Sequence, residues 1–323
     1  MSDLGRLSRR GVLAGAAALT ACSPKPAAAP DEATLRIATF KGGVRDLLKA
    51  AGLEATPYKV AWSEFGAGNL ITEAIDARAI DIGAMSEIPP IFVAGRPTQV
   101  RIVAVLRGDV NSQVTLVPKD SPIRSAADLK GKRVGYVRAT TAQYFLARLL
   151  GEHGLTYADI EPVALSPQDG LSAFGQGSLD AWVIYGVQGA LARAKLGARV
   201  LATGLGRLSG NYVQAAFAEA IADPPRRAAI AHHLQQLQKA YAWANDHPDE
   251  WARTQAQATG APFEIYRQMH RERSAPSVLG PTDAAAIASE QAVADGFAAL
   301  GAIPAKVDVR PLWSAEFNKE LKI

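Results

Sequence analysis

The sequence predicts an α/β protein of two lobes joined by a two-crossing hinge, behind an N-terminal export signal. Three observations predict it. From Thr34 onward, short apolar strands alternate with helix-patterned segments, the mark of a largely parallel sheet. At Lys119-Asp120-Ser121-Pro122 the turn chemistry is dense, and a second unit of the same kind begins. After Pro224 the pattern turns helical, so the chain is expected to return to the first unit. A length of 323 residues, 48% of them apolar, exceeds what one small core needs and suits two lobes.

Residues 1–22 read MSDLGRLSRRGVLAGAAALTAC. A basic segment ending in Arg9-Arg10 precedes an apolar run from Gly11 to Ala21, too short to span a bilayer and suited to a signal. Arg9-Arg10 after Ser8 resembles a twin-arginine export signal, and Leu19-Thr20-Ala21-Cys22 resembles the lipobox whose cysteine is acylated. Residues 23–33 are rich in Pro and Ala and predict an extended tether. The body is therefore expected to be periplasmic and anchored through Cys22.

In the first lobe, residues 34–117 and 212–323, the expected strands are Leu35–Phe40, Tyr58–Trp62, Ile80–Met85, Val100–Leu106, Gln113–Val117 and Asn211–Phe217. In the second, residues 118–211, they are Arg133–Val137, Ile160–Leu165, Ala181–Tyr185 and Arg199–Ala202. The helix behind Thr140 places Ala142, Phe145, Leu146, Leu149 and Leu150 on one face, a 3.6-residue period. The C-terminal helices, beginning with a long one over Ala228–Asn245, are expected to pack on the first lobe.

Composition excludes several functions. Net charge is +4, half of it contributed by three arginines against one aspartate ahead of Cys22, with no basic stripe for nucleic acid. Cys22 is the single cysteine, so no disulfide and no cysteine nucleophile belong to the body. No phosphate-binding G-x-x-x-x-G-K-[ST] loop, G-x-S-x-G elbow or H-E-x-x-H pair occurs. The histidines (His153, His232, His233, His247 and His270) read as surface or packing residues. No metal, cofactor or catalytic residue is expected.

Candidate binding residues lie at the carboxyl ends of strands, where open α/β sheets bind ligands. Lys41, Gly42 and Gly43 combine a positive charge, close backbone approach and the free N–H groups of a helix start, which suits an anion, although a plain strand–helix turn would use the same glycines. Ser86 and Glu87 follow the third strand and would also serve as a helix cap. Thr140 and Thr141 sit at the matching place in the second lobe, where Thr140 and Gln143 fit a capping box. Trp182 and Tyr185 point to opposite faces of one strand, and Tyr185, at its end, is taken for the ligand side. Phe65, Tyr144 and Tyr185 would line the ligand's apolar part.

In order, these segments resemble the substrate-binding proteins of sulfonate, nitrate and taurine ABC importers, nearest the aliphatic sulfonate branch. The residues carrying the resemblance are Lys41-Gly42-Gly43, Ser86-Glu87-Ile88-Pro89-Pro90, Leu116–Ile123, Ala127–Val134, Gly177–Trp182 and Ala242–Asn245. The resemblance implies a type II periplasmic-binding-protein fold, a small anionic ligand such as a sulfonate, an ABC permease partner and a monomer. Nitrate, taurine and thiamine-pyrimidine precursors are the alternative ligands. The scaffold also carries desulfinases and pyrimidine synthases, which use cysteines that the body of this chain lacks. Glu87 beside an anion would need either Lys41 or a donor on the ligand to neutralise it.

Overall fold

Strand residues with alternating or continuous burial form two separate sheets. The computed structural model describes residues 34–321, so the signal-like segment, the tether and Cys22 lie outside the described residues. The strands are β1 (Thr34–Thr39), β2 (Lys59–Glu64), β3 (Ile82–Ser86), β4 (Val100–Arg107), β5 (Gln113–Val117), β6 (Arg133–Tyr136), β7 (Glu161–Ala164), β8 (Ala181–Tyr185), β9 (Arg199–Thr203), β10 (Asn211–Phe217) and β11 (Val278–Gly280). The helices are α1 (Val44–Ala50), α2 (Gly68–Asp76), α3 (Ile91–Ala94), α4 (Thr141–Gly151), α5 (Pro167–Gly175), α6 (Gly186–Leu196), α7 (Ala218–Ala222), α8 (Pro224–Asp246), α9 (Pro248–Thr259), α10 (Phe263–Glu272) and α11 (Ala284–Ala299).

The first sheet has the order β11-β4-β10-β3-β1-β2 and the second β7-β6-β8-β5-β9. β1 runs parallel to β2 and β3, and β6 runs parallel to β7 and β8. The strands nearest the crossings, β10 and β5, are antiparallel to both their neighbours. Each sheet has its own apolar core. Leu35, Ile37, Ile71 and Ile82 belong to the first, and Leu116, Phe145, Leu146 and Trp182 to the second.

The expected lobe boundary at Val117 falls one strand too late. β5 pairs with β8 and β9 and so belongs to the second sheet. The outward crossing is the segment 108–112, where Asp109 accepts the backbone N–H groups of Asn111 and Ser112 at 2.8 and 2.9 Å. Such an Asx turn between two apolar strands reads locally as a connection within one sheet. Which sheet receives the second strand depends on distant partners. The return crossing, 204–210, meets the first where Gly108 N–H donates to Gly210 C=O at 3.0 Å. Gly210 has φ +79°, and a Cβ there would come within 2.9 Å of Gly108 O. A side chain at this position would push the crossings apart.

The two lobes repeat one ionic device. In β1, the Arg36 guanidinium donates to the Asp81 carboxylate at 2.6 and 3.0 Å, and Arg36 N–H donates to it at 2.8 Å. In β6, Arg133 does the same to Asp180 at 2.9, 3.1 and 2.9 Å. Each aspartate returns its own N–H to the arginine C=O. An acid just before one parallel strand is thereby locked to the neighbouring strand. Asp81 also receives Arg226 of α8 at 3.4 Å, which ties the helical tail to the first sheet.

The tail packs on the first lobe through α8, which contacts α1, β1 and β11, and through α9 against α1. It also touches the second lobe: α10 contacts α6, and Arg193 pairs with Glu272 at 3.0 Å.

Candidate functional site

A cavity of about 790 Å³ opens between the two lobes, walled by the carboxyl ends of their strands. Lys41, Gly42, Gly43, Phe65 and Ser86 line it from the first lobe, and Thr140, Thr141 and Tyr185 from the second. The starts of five helices open on it: Gly43 and Val44 of α1, Gly68 of α2, Thr141 of α4, Pro167 of α5, and Gly186 with Val187 of α6. Thr140 caps α4 and Ser166 caps α5 with their side chains. The N-cap residues of α1, α2 and α6 make no side-chain cap, although Thr39 Oγ1 accepts Arg45 N–H of α1 at 3.5 Å and Ser112 C=O accepts Gly186 N–H of α6 at 3.1 Å. The first N–H groups of a helix have no partner within it, and the helix dipole adds partial positive charge there. Uncapped starts from both lobes thus face one space.

The local geometry around Thr140 departs from the expected box. Gln143 Oε1 accepts Ala139 N–H at 2.7 Å, one residue ahead of the cap, and Ala139 has φ +55°. Thr140 Oγ1 accepts Ala142 N–H at 3.3 Å and donates to Val137 C=O at 2.7 Å. Beside it, Thr141 Oγ1 donates to Gln113 Oε1 at 2.8 Å. Gln113 Nε2 donates to the Tyr212 hydroxyl at 3.2 Å, and that hydroxyl donates to Asp109 C=O at 2.7 Å. This chain runs from α4 in one lobe through the crossing to β10 in the other. Burial raises both Tyr185 and Tyr212 to about 12, so each remains a neutral phenol. Burial also works to raise Asp109, but hydrogen bonds from Ser112, Ser274 and Asn111 outweigh it and hold the carboxylate ionised.

Two expected site residues lie elsewhere. Glu87 is buried away from the cavity, where Ser209 Oγ, Asn211 Nδ2 and Ser289 Oγ donate to it at 2.5, 3.2 and 3.2 Å. Lys41 is not its partner; the carboxylate ties the return crossing to α11. Strand β3 ends at Ser86, and the chain turns inward there, so adjacent residues part company. Tyr144 sits on α4 but is buried against Phe297 of α11, ring centroids 5.3 Å apart, and Gly296 leaves room for it. It joins the lobes behind the cavity. Trp182 is fully buried against Phe174, which leaves Tyr185 as the member of the pair that lines the cavity.

Glu87 has an acidic neighbour in Glu290 of α11. Trp313 Nε1 donates to Glu290 Oε2 at 2.5 Å, while Oε1 has no partner among the described residues. Burial, and then the charge of Glu87, push Glu290 well above the usual carboxylate range. Burial raises Glu87 as well, against the three hydrogen bonds it accepts. With one donor against three, Glu290 is the member that keeps the proton. A raised carboxyl stabilises the fold fully below its unfolded value, about 4.3, and that contribution is lost as pH rises through the folded value. Glu290→Gln cannot ionise and can still accept from Trp313. It is expected to unfold in urea like the parent at pH 4 and to be more stable at pH 8 by over about 1 kcal/mol. Parallel stability profiles across that range would refute the buried proton.

Sequence reasoning missed the third wall, which comes from α8, α9 and α10. Asn245, Trp251, Gln255, Met269, His270 and Arg273 line the cavity there. His270, expected as a surface or packing residue, faces this space with Nε2 2.8 Å from Gln255 Oε1. Burial, helped by Arg273, lowers it to about 4, so it is neutral at physiological pH. Gln113 was also missed, although a glutamine opening the short β-branched and apolar run Gln113–Val117 is a usable signal, because a buried glutamine in a strand needs a reason.

With this geometry in hand, known proteins supply the context. The family model described as "NMT1/THI5 like" matches residues 59–251. A protein of Escherichia coli K12 named for binding aliphatic sulfonates is 31% identical over 317 residues, covering 96% of each chain. The alkanesulfonate-binding protein SsuA from Xanthomonas axonopodis pv. citri, solved bound to MOPS, superposes with a TM-score of 0.79 at 31% identity, covering 88% of this chain and 99% of that one. The desulfurization enzyme DSZB superposes with a TM-score of 0.62 at 17% identity over 88% and 97% of the two chains, a likeness of fold alone. The two-lobed fold, the cleft between its sheets and an identity of 31% along 96% of the chain place this protein in the NMT1/THI5-like family, alongside the SsuA-type binding proteins.

Proposed function

We propose that this protein is the substrate-binding component of an ABC importer and that it captures an organosulfonate between its lobes. The observation that carries the reading is the meeting of uncapped helix starts from both lobes on one cleft. A sulfonate presents three acceptor oxygens, no donor and a charge that does not titrate near neutral pH. Backbone N–H groups at helix starts answer that chemistry without needing to donate a proton. Lys41 and Arg273 supply positive charge at the rim and wall of the cleft. Two carboxylates, Glu64 and Asp109, also line the cleft, and Asp109 is already satisfied by Asn111, Ser112 and Ser274.

A ligand touching both walls favours the closed arrangement of the lobes, about crossings that meet at Gly108 and Gly210. The protein is read as binding and releasing without turnover; its one cysteine, Cys22, precedes the body, so the body cannot carry out chemistry that needs a cysteine. Acylated Cys22 would tether a monomeric body in the periplasm beside the permease; no helix among the described residues is long and apolar enough to cross a membrane.

A thermal-shift panel tests the reading, using alkanesulfonates including MOPS, taurine, nitrate, sulfate and pyrimidine precursors. A ligand at 100 times its Kd adds about 2.7 kcal/mol to stability, which shows as a clear rise in Tm. The expected outcome is a rise with alkanesulfonates and none with nitrate or pyrimidines. A rise with nitrate or a pyrimidine alone would keep the binding role and remove the sulfonate.

A further inference from the structure

The cavity offers more room than a small sulfonate fills. Its volume is about 790 Å³, within the range of pockets that enclose ligands larger than a methanesulfonate. The helix starts that suit an anionic head belong to β–α loops of the two sheets, which leaves the wall of α8–α10 to meet the rest of the ligand. A plain alkyl tail would select an apolar wall. Here apolar residues, Tyr241, Ala244, Trp251 and Met269, share the wall with Asn245, His270 and Arg273.

Arg273 caps the C-terminus of α10 and is half-buried. Its Nη1 donates to Asn245 Oδ1 at 2.9 Å. Asn245 is fixed in turn by Ser277, which donates its N–H to Oδ1 at 3.1 Å and accepts from Nδ2 at 2.8 Å. The guanidinium is thereby held in place, while most of its five N–H donors have no partner among the described residues. No carboxylate pairs with it among the described residues, since Asp109 is bound by the crossing and by Ser274. His270, neutral and turned to Gln255, adds no charge, so Arg273 is the cation of this wall.

We infer that Arg273, positioned by Asn245, forms a second recognition subsite, and that the ligand is a sulfonate whose far end carries an oxygen acceptor, best a carboxylate. The inference rests on the sulfonate reading above. A guanidinium matches a carboxylate with two parallel hydrogen bonds. An alkyl group laid on the same donors removes their water and returns no partner, and a site built around such donors discriminates strongly against it.

The test is calorimetric titration of the purified protein with two ligands of equal length. One is an alkanesulfonate ending in a carboxylate; the other is its isostere ending in an isopropyl group. The wild type is expected to prefer the carboxylate by at least about tenfold. In Arg273→Gln the ratio of the two Kd values should collapse toward one, and Arg273→Lys should keep only part of the preference, because charge remains but the fork does not. A wild type that binds both equally, or an Arg273→Gln protein that keeps the full ratio, overturns the second subsite and leaves the sulfonate reading standing. Binding of neither ligand overturns both.

Discussion

Asp81→Ala is expected to lower the unfolding free energy by about 3–5 kcal/mol, read as a shift of the denaturant midpoint. The Asp81 side chain is fully buried and answers two arginines and a backbone N–H. Removing it leaves Arg36 without its countercharge and breaks the tie from Arg226 of α8 to the first sheet, although Arg226 keeps Asp223 at 2.9 Å. The second lobe supplies an internal control. Asp180 makes the same contacts to Arg133, but its side chain is 33% exposed and that of Arg133 43%. Water can replace much of what is lost there, so Asp180→Ala should cost only about 1 kcal/mol. Equal losses at the two positions would show that burial does not set the strength of this repeated device.

Trp182→Ala is the second large effect, again about 3–5 kcal/mol. Trp182 fills the centre of the second core, and two glycines have made room for it. A Cβ at Gly170 would lie 2.6 Å from its ring nitrogen, and one at Gly135 would lie 3.1 Å from its Cδ1. With the ring removed, the space between α5, β6 and β8 cannot close, because neither glycine has a side chain to fill it. Since α4, α5 and α6 present the second wall of the cleft, the variant should also lose most of the Tm rise produced by ligand. A variant that melts within a few degrees of the parent would mean that the core collapses around the missing ring.

Local pattern accounts for most of the elements. The expected strands Leu35–Phe40 and Ala181–Tyr185 appear as β1 (Thr34–Thr39) and β8 (Ala181–Tyr185), because alternating or continuous burial is written in successive residues. The loops after those strands were also legible. Parallel strands send their carboxyl ends to one edge, so Gly43, Ser86, Thr141 and Tyr185 could be placed together by topology before any distance was known. Glu87 and Tyr144 show the limit of that argument. Each is one to three residues from a cavity-lining neighbour, yet the chain direction at Ser86 and the helical turn at α4 carry them behind the cleft, to Ser209 and Phe297.

The sequence by itself determined the α/β class, two units with a helical tail, and the loops that could present N–H groups to an anion. These follow from residue periodicity and turn chemistry, which act over a few positions. Only the tertiary structure decided that β5 crosses to the second sheet, that Glu87 faces the return crossing, and that His270 and Arg273 reach the cleft. Each depends on partners far away in the chain, such as Gln113 with Tyr212 or Arg273 with Asn245. Long-range pairing of this kind is set by which buried polar groups find partners when the lobes pack, and no local pattern encodes it.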